Sequence, residues 1–198
     1  MNILALDPAT ITGYAVHIDH DMFTGVWDFT KIKETSLGDA YNALSTLIIQ
    51  NVKKYKINLI AVEVPTPNMK KINIKALQFQ FGQVGVIQCV AAALDIGYLE
   101  YKPNEIFKYA RDYLSAHFDE LDHASLGLLF EKVKDSKKAS CQYFFTTQGR
   151  MPVCTDEADA TALLGLAMKE QEANAGSNDD VRGKAQNSDI ISQVGRVA

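Results

Sequence analysis

The sequence predicts a mixed α/β domain in which helices cover both faces of a mixed sheet. Residues 3–7 and 57–65 are short apolar runs with the length of buried strands, and each contains a carboxylate at or near its end. Between and after these runs, apolar residues recur at the three- and four-residue spacing of helices that pack through one face. The resulting order is three strands, a helix, a strand, a helix, a strand and further helices. Such an order favours a layered α/β architecture.

Local signals define the individual elements. Pro8 ends the first strand because proline has no N–H to donate to a ladder. A second strand over residues 12–16 and a third over about 23–29, separated by a polar turn, predict an antiparallel hairpin. The later elements are a helix that begins near Leu37 and has Lys53, Lys54 and Lys56 in and just beyond its last turn, the strand 57–65, a helix over about 76–94, a strand over 98–101, a helix that begins at Pro103, and a last helix from Thr155.

Composition limits the class of protein. The chain has 198 residues, of which 47% are hydrophobic and 22% charged, so it can bury a sizeable core and is not globally disordered. No apolar run approaches the ~20 residues of a membrane span, and the N-terminus lacks the features of a signal peptide. Three cysteines without CxxC spacing exclude a disulfide framework and a cysteine zinc site. We therefore expect a cytoplasmic protein that does not bind membranes.

The chain is expected to form one domain with a tail. Residues 1–172 carry all the periodic segments and are predicted to form a single globular unit. Residues 173–198 lose this periodicity and are rich in Asn, Gly, Ser, Asp and Gln. This composition predicts a flexible polar tail.

Four carboxylates stand where structure alone does not require them. Asp7 ends one buried strand, Glu63 lies in another, and Asp156 and Asp159 share one face at the start of the last helix. Burying several carboxylates close together is costly unless a cation or hydrogen-bond donors compensate. An oxygen-rich site of this kind suits Mg²⁺ or Mn²⁺. It can hold two ions about 4 Å apart, which position a water and a phosphodiester for in-line hydrolysis.

Each of these residues also has a purely structural interpretation. Asp7 can be a turn residue, and Glu63 can point outward at a strand end. Asp156 and Glu157 are residue types that the first turn of a helix favours. Asp159 lies deeper in the helix, among small apolar residues, and capping explains it less well. The joint occurrence of these carboxylates in this order of elements favours a functional site.

Five segments of the chain resemble RuvC-type Holliday junction resolvases, which belong to the ribonuclease H-like superfamily. They occur in the family's order and extend over roughly residues 2–168. The segments are the strand-turn-strand of residues 3–16, the acidic strand Ile60-Ala61-Val62-Glu63, the helix that contains Phe81-Gly82-Gln83-Val84-Gly85-Val86, the strand and turn of residues 98–104, and the closing Asp156-Glu157-Ala158-Asp159-Ala160.

The resemblance implies a ribonuclease H-like fold, a five-stranded mixed sheet flanked by helices on both faces. It also implies that Asp7, Glu63, Asp156 and Asp159 are catalytic and bind Mg²⁺, two ions per site, with Mn²⁺ as a substitute. The expected activity is that of a homodimer which nicks opposed strands of a four-way DNA junction and leaves 5′-phosphate and 3′-hydroxyl ends. The short chain and polar tail suggest a divergent phage or mobile-element member acting in the host cytoplasm.

The sequence departs from the family at two points. The family often carries an aromatic residue three positions after its second acid, where it wedges into the junction, and here that position is Thr66. Phe79, Phe81 and Met69 are candidates to replace it. The glycine-rich basic loop of the family is also not recognisable between residues 114 and 138.

A nuclease with a net charge of −4 needs local cationic contacts with phosphate. Six basic residues near the acidic strand and the following helix are expected to supply them, although each can also be an ordinary solvated side chain. These residues are Lys70, Lys71, Lys75, Lys102, Lys108 and Arg111.

Two other functions remain open. Actin-like ATPases and sugar kinases share the Asp-x-x-x-x-Thr-Gly opening formed here by Asp7, Thr12 and Gly13, but the chain is short for their second phosphate-binding domain. A junction-binding protein that has the fold and lacks catalysis is the other alternative, and the presence of all four acids disfavours it.

Overall fold

The computed structural model contains a five-stranded mixed sheet and describes residues 1–67, 73–117 and 128–194, with side chains up to residue 175 except Ser136. The sheet order is β3-β2-β1-β4-β5. The first three strands are antiparallel neighbours, whereas β4 runs parallel to both β1 and β5. The predicted α/β architecture is confirmed. The strands are β1 (Ile3–Asp7), β2 (Ile11–Ile18), β3 (Asp21–Asp28), β4 (Leu59–Glu63) and β5 (Gly97–Tyr101).

The described part of the chain also contains helices, named here in sequence order. They are α1 (Thr30–Thr35), α2 (Leu37–Tyr55), α3 (Ile74–Ala93), α4 (Pro103–His117), α5 (Asp135–Gln148) and α6 (Thr155–Val194). Within the described residues, none of the helices has both the length and the apolar character that crossing a membrane requires.

The chain divides into two compact units, Met1–Gly165 and Leu166–Ala198. The first contains the whole sheet and the first turns of α6. In the second, the backbone is helical as far as Val194, which includes most of the segment predicted from composition to be a polar tail. The division of the chain at residue 172 stays a prediction.

Capping residues and apolar spacing explain why the two longest helices of the first unit form. The Ser36 hydroxyl accepts a hydrogen bond from the Asp39 N–H at the start of α2, and Asn73 caps α3 in the same way. Lys56 adopts a left-handed conformation, with φ of 50°, and ends α2. The buried positions of α2 recur every four residues, which gives the helix one face toward the sheet; they are Ala40, Leu44 and Ile48.

Strand alternation places two of the predicted carboxylates on one face of the sheet. Leu6 of β1 and Val62 of β4 are register partners, and both lie in the hydrophobic core that also contains residues of α2 and α3. Successive side chains of a strand point to opposite faces. Asp7 and Glu63 therefore face away from that core. Because β1 and β4 are parallel, both residues also end their strands at the same edge of the sheet.

Candidate active site

Three of the four predicted carboxylates form one tight cluster. Asp7, Asp156 and Asp159 each offer an oxygen atom, and these oxygens all lie within 4.8 Å of one another. Glu63 lies beside the cluster, close enough for its charge to repel those of Asp7, Asp156 and Asp159. The structure thus brings together side chains that are more than a hundred residues apart in the sequence.

Gly13 allows the start of α6 to approach the sheet. Gly13 is the register partner of Asp7 on the neighbouring strand β2. A Cβ atom at Gly13 would overlap the backbone carbonyl of Asp156. The missing side chain therefore creates the space in which the first turn of α6 lies, directly beside the end of β1. In this position Asp156 and Asp159 reach the carboxylate of Asp7.

The cluster contains buried oxygen atoms without hydrogen-bond partners. Asp7 and Glu63 are buried, Asp159 is fully buried, and Asp156 is half-buried. Among the described residues, no group hydrogen-bonds to Asp7 Oδ2, Glu63 Oε2 or Asp159 Oδ1. Buried carboxylate oxygens without partners are costly, and a divalent cation is the ligand that such hard oxygen donors suit. The donor set therefore fits Mg²⁺ or Mn²⁺.

Burial and mutual repulsion raise the pKa values of all four acids. Loss of solvation is the largest cause of the high pKa of Asp7, followed by repulsion from Glu63. Burial also raises the pKa of Glu63, to about 7, although Lys137 opposes the shift. The pKa values of Asp156 and Asp159 are raised mainly by burial as well. Raised pKa values on several neighbouring carboxylates are common at functional sites, where burial and like charges are brought together.

Lys137 of α5 is a charged component of the site that sequence analysis missed. Its ammonium group donates a hydrogen bond to Asp159 Oδ2 and lies 3.9 Å from Asp7 Oδ2. It also lies 5.6 Å from the centre of the Phe107 ring. Burial alone would lower the pKa of Lys137, but attraction to Asp7 and Asp159 raises it well above the ordinary value. Lys137 is therefore a cation inside the acidic cluster at neutral pH.

Two glutamine side chains hold the turn that follows Asp7. Gln83 of α3 is fully buried and donates to the Ala9 carbonyl at 3.1 Å and to the Thr12 hydroxyl at 3.0 Å. Gln80 donates to the Pro8 carbonyl at 3.1 Å. Helix α3 thus fixes the backbone immediately after Asp7, which fixes the end of β1.

The predicted DNA-binding residues are exposed where the structure describes them. Lys102 directly follows β5, whose last residue pairs with Glu63, so Lys102 lies at the same sheet edge as the acids. Lys108 forms a 2.8 Å ion pair with Asp112 on its own helix. Lys75 and Arg111 are exposed as well. The remaining two predicted residues, Lys70 and Lys71, lie outside the described residues.

The candidates for a junction-contacting residue differ in their exposure to solvent. Phe79 is 1% exposed, and its ring stacks on that of Tyr41 at 5.6 Å, so it is a core residue and cannot reach DNA. Phe81 is 45% exposed. Met69 lies outside the described residues. Of the two candidates that the structure describes, Phe81 is the one exposed to solvent.

The strand order, the parallel pairing of β4 with its neighbours and the acids at the strand ends define a ribonuclease H-like α/β fold. Within that class, the structure is similar to RuvC of T. thermophilus in complex with a Holliday junction substrate, with a TM-score of 0.59 and 12% identity. That match covers 82% of this chain and 90% of the other. The predicted RuvC-type fold is confirmed.

A second similar structure is the yeast mitochondrial Holliday junction resolvase Ydc2. Its TM-score is 0.54 at 13% identity, over 86% of this chain and 78% of that chain. No protein-family model matches the sequence, and no curated protein matches it. The likeness is therefore one of fold, and the function has to be argued from the site.

Proposed function

We propose that the protein is a metal-dependent endodeoxyribonuclease that resolves four-way junctions or other branched DNA. The observation that carries this proposal is the set of buried, unpartnered carboxylate oxygens at the strand ends of a RuvC-type sheet. Asp7, Glu63, Asp156 and Asp159 are the proposed catalytic residues. The similarity to a RuvC structure that contains a Holliday junction substrate supports the choice of branched DNA.

The proposed cofactor is Mg²⁺, with two ions per site and Mn²⁺ as a substitute. Asp7, Asp156 and Asp159 would bind it through the oxygens that lie within 4.8 Å of one another, and Glu63 would complete the set. When bound, the metal activates water for hydrolysis and stabilises the charge on the leaving 3′-oxygen. The expected products are 5′-phosphate and 3′-hydroxyl ends.

The side chains of the chain itself prepare the site for this chemistry. The four acids supply negative charge in a region that water reaches poorly, where attraction to a cation is strong. Lys137 compensates part of that charge and opposes the rise that burial causes in the pKa of Asp159. Gln83 and Gln80 hold the turn after Asp7, so that its carboxylate keeps its direction.

We propose that the exposed cations near the site contact phosphate. Lys102, at the acidic edge of the sheet, is the best-placed of these residues. Lys75 and Arg111 belong to the same proposed set. Lys70 and Lys71, which lie outside the described residues, stay in it as predictions from the sequence. Lys108 has a weaker claim because Asp112 already pairs with its ammonium group.

We propose a homodimer that associates through α3 and α2. An open groove of about 530 Å³ lies between these helices and is lined by small and apolar side chains, among them Gly85, Val86 and Cys89. If Gly85 carried a Cβ atom, no described atom outside the neighbouring backbone of α3 would lie within 4 Å of it. Gly82, in contrast, packs against Tyr41 of the same chain. Sedimentation at micromolar concentration tests the dimer, and a monomer there would remove it.

The decisive experiment uses a labelled four-way junction, a Y-fork and a linear duplex, each with and without Mg²⁺. Paired symmetric nicks confined to the junction and dependent on Mg²⁺ are expected. Asp7→Asn should abolish nicking and preserve junction binding, because it removes a metal-binding charge without changing the size of the residue. Nicking that survives this substitution would overturn the assignment of the site.

The same samples separate the two alternative functions. A protein that binds the junction and nicks no substrate under any metal would be a binding protein without catalysis. Mg²⁺-dependent hydrolysis of added ATP without nicking of any DNA substrate would instead indicate the actin-like or sugar-kinase class. Neither result is compatible with the proposed nuclease.

A further inference from the structure

We infer that Glu157, the residue that follows Asp156 in α6, is a positioning residue for the metal-binding acids rather than a ligand. This inference rests on the proposed function. The Glu157 side chain is 0% exposed. One hydrogen-bond donor from β3 and two from the loop before α6 converge on it. These contacts tie the first turn of α6 to the edge strand of the sheet.

Both carboxylate oxygens of Glu157 have partners. Arg150 Nη2 donates to Oε1 at 2.6 Å, and the Thr24 hydroxyl donates to the same oxygen at 2.9 Å. The backbone N–H of Val153 donates to Oε2 at 2.6 Å. Arg150 Nη2 also donates to the Thr24 hydroxyl at 2.8 Å, which closes the network. We call Glu157, Arg150 and Thr24 the α6 clamp.

The α6 clamp differs in chemistry from the catalytic cluster that it adjoins. Asp7 and Asp159 have buried oxygens without hydrogen-bond partners among the described residues, whereas the oxygens of Glu157 are satisfied. Burial alone would raise the pKa of Glu157, but hydrogen bonds from Arg150, Val153 and Thr24 lower it. Both oxygens of Glu157 already accept hydrogen bonds from protein donors, which sets Glu157 apart from the unpartnered oxygens of the cluster.

The position of the α6 clamp explains how it acts on the site. Val153 lies two residues before the helix, and Arg150 lies further back in the loop, with its guanidinium 4.8 Å from the centre of the Phe144 ring. Thr24 lies on β3, the strand beside β2. Glu157 therefore connects the loop and the edge strand β3 to the turn of α6 that carries Asp156.

A small rotation of this turn would move both aspartates. Asp156 directly precedes Glu157, and Asp159 follows it by two residues, so neither can keep its direction if the helix start turns. The close approach of Gly13 to the Asp156 carbonyl sets how near α6 lies to the sheet. Because Gly13 has no side chain, this contact does not by itself prevent the start of the helix from rotating. The α6 clamp supplies the second constraint. Loss of a group that hydrogen-bonds directly to a metal ligand typically weakens metal affinity by about 10- to 100-fold. The α6 clamp acts through the helix backbone, so we expect the lower end of that range.

Mn²⁺ titration by calorimetry, on the full chain without DNA, tests the inference. Glu157→Gln removes the charge and turns an amide N–H toward a group that is itself a donor, so at least one hydrogen bond of the α6 clamp is lost. We expect the dissociation constant for Mn²⁺ to rise about tenfold. Arg150→Met should raise it to a similar extent. The double variant should be no worse than the more affected single variant, because residues of one network do not act additively.

Stability alone must not account for the result. Ile48→Val serves as the matched control, since Ile48 is fully buried in α2 on the opposite face of the sheet and its truncation lowers the melting temperature. It should leave the Mn²⁺ dissociation constant unchanged. If Glu157→Gln does not fold, Arg150→Met and Thr24→Val carry the test, because neither side chain is fully buried.

The outcomes separate this inference from the proposed function. Tight Mn²⁺ binding by the unmodified protein, with unchanged affinity in the folded Glu157, Arg150 and Thr24 variants, would overturn the positioning role and leave the nuclease intact. An unmodified protein that binds no Mn²⁺ and nicks no junction would overturn both. Weaker Mn²⁺ binding in the three variants, together with an unchanged dissociation constant in Ile48→Val, supports the α6 clamp.

Discussion

The backbone carbonyl of Asp156 lies in the space that a side chain on Gly13 would fill. Gly13 is in turn the register partner of Asp7. The absence of one Cβ atom therefore links Asp7 to Asp156, the first and third of the four proposed metal-binding acids. It is a requirement of close approach, because Gly13 lies inside a regular strand and its value does not depend on an unusual backbone angle.

Gly13→Ala should disrupt the site more than its size suggests. The added methyl group meets backbone atoms of Asp156, which cannot rotate away as a side-chain end does, so α6 must shift. We expect a loss of roughly 1–3 kcal/mol in the free energy of unfolding, together with a large loss of Mg²⁺-dependent nicking. Thermal melting and a junction-nicking assay measure the two effects.

Gly38→Ala is the matched control for that substitution. A Cβ at Gly38, in the first turn of α2, would come no closer than 3.6 Å to the Ser36 hydroxyl, which is an ordinary contact. Alanine also favours helix over glycine by up to about 1 kcal/mol. Gly38→Ala should therefore keep or improve stability and leave nicking unchanged. Equal losses in both variants would refute the role given to Gly13.

The metal-free protein should lose stability as the pH rises from about 4.5 to about 7. Burial raises the pKa of Glu63 from 4.5 to about 7, so in this range the folded protein binds a proton that the unfolded chain has released. The folded state is then favoured at low pH, and the advantage from Glu63 alone is on the order of 3 kcal/mol. Asp7, Asp156 and Asp159 shift in the same direction.

Melting temperatures measured with a chelator across this pH range check the sign. Glu63→Gln should reduce the pH dependence, because the amide has no proton to lose. Mg²⁺ should stabilise the unmodified protein more at the upper end of the range, since the proton and the metal compete for the same oxygens. A metal-free melting temperature that rises with pH would contradict the pKa shifts.

Lys137→Met should make the protein depend on metal for its stability. Removing one partner of a buried ion pair typically costs about 3–5 kcal/mol, and here Asp159 would lose the donor to one of its oxygens. Mg²⁺ supplies positive charge in place of the ammonium group. The increase in melting temperature on adding Mg²⁺ should therefore be larger in Lys137→Met than in the unmodified protein.

Lys138→Met provides the comparison for that variant. The neighbouring lysine pairs at 3.5 Å with Asp135, whose side chain is fully exposed, and such surface pairs contribute little. Lys138→Met should melt like the unmodified protein with and without Mg²⁺. If Lys137→Met behaves in the same way, the ammonium group is not a necessary part of the acidic cluster.

Substitution of Lys102 should lower the salt dependence of junction binding. Each phosphate contact that is lost reduces the slope of log affinity against log salt by about 1. We expect this change for Lys102→Met in an Asp7→Asn background, in which binding can be measured without cleavage. Lys54→Met is the control: Lys54 lies at the end of α2, over the Tyr55 ring, and leads into the opposite end of β4. An unchanged slope for Lys102→Met would remove it from the DNA-binding surface.

The strands and their acids were predictable because both depend on local patterns. Residues 3–7 form a short apolar run with an acid at its end, and the structure contains the strand over the same residues. Glu63 ends β4 in the same way. The parallel pairing of β1 with β4, which the structure shows, is what brings the ends of both strands to the same side of the sheet. The short helix α1 was not predicted, since it buries no residue and so has no apolar pattern.

The structural roles of Lys137, Gly13 and Glu157 were not predictable, although Gly13 and Glu157 lie within segments that resemble the family. Lys137 stands in a polar, lysine-rich stretch, and nothing in its spacing distinguishes it from Lys138 beside it. Glu157 has the appearance of an ordinary acid in the first turn of a helix. Gly13 is one glycine in a strand. Their roles depend on which elements become neighbours in three dimensions, and that information is not contained in the local sequence.

The proposed centre joins the seventh residue of the chain to residues 156 and 159. During synthesis on the ribosome, the early strands are complete long before the last helix has been made. A polypeptide interrupted before residue 156 would carry Asp7 and Glu63 but neither aspartate of α6. Premature termination would therefore yield fragments that lack half of the proposed metal-binding carboxylates.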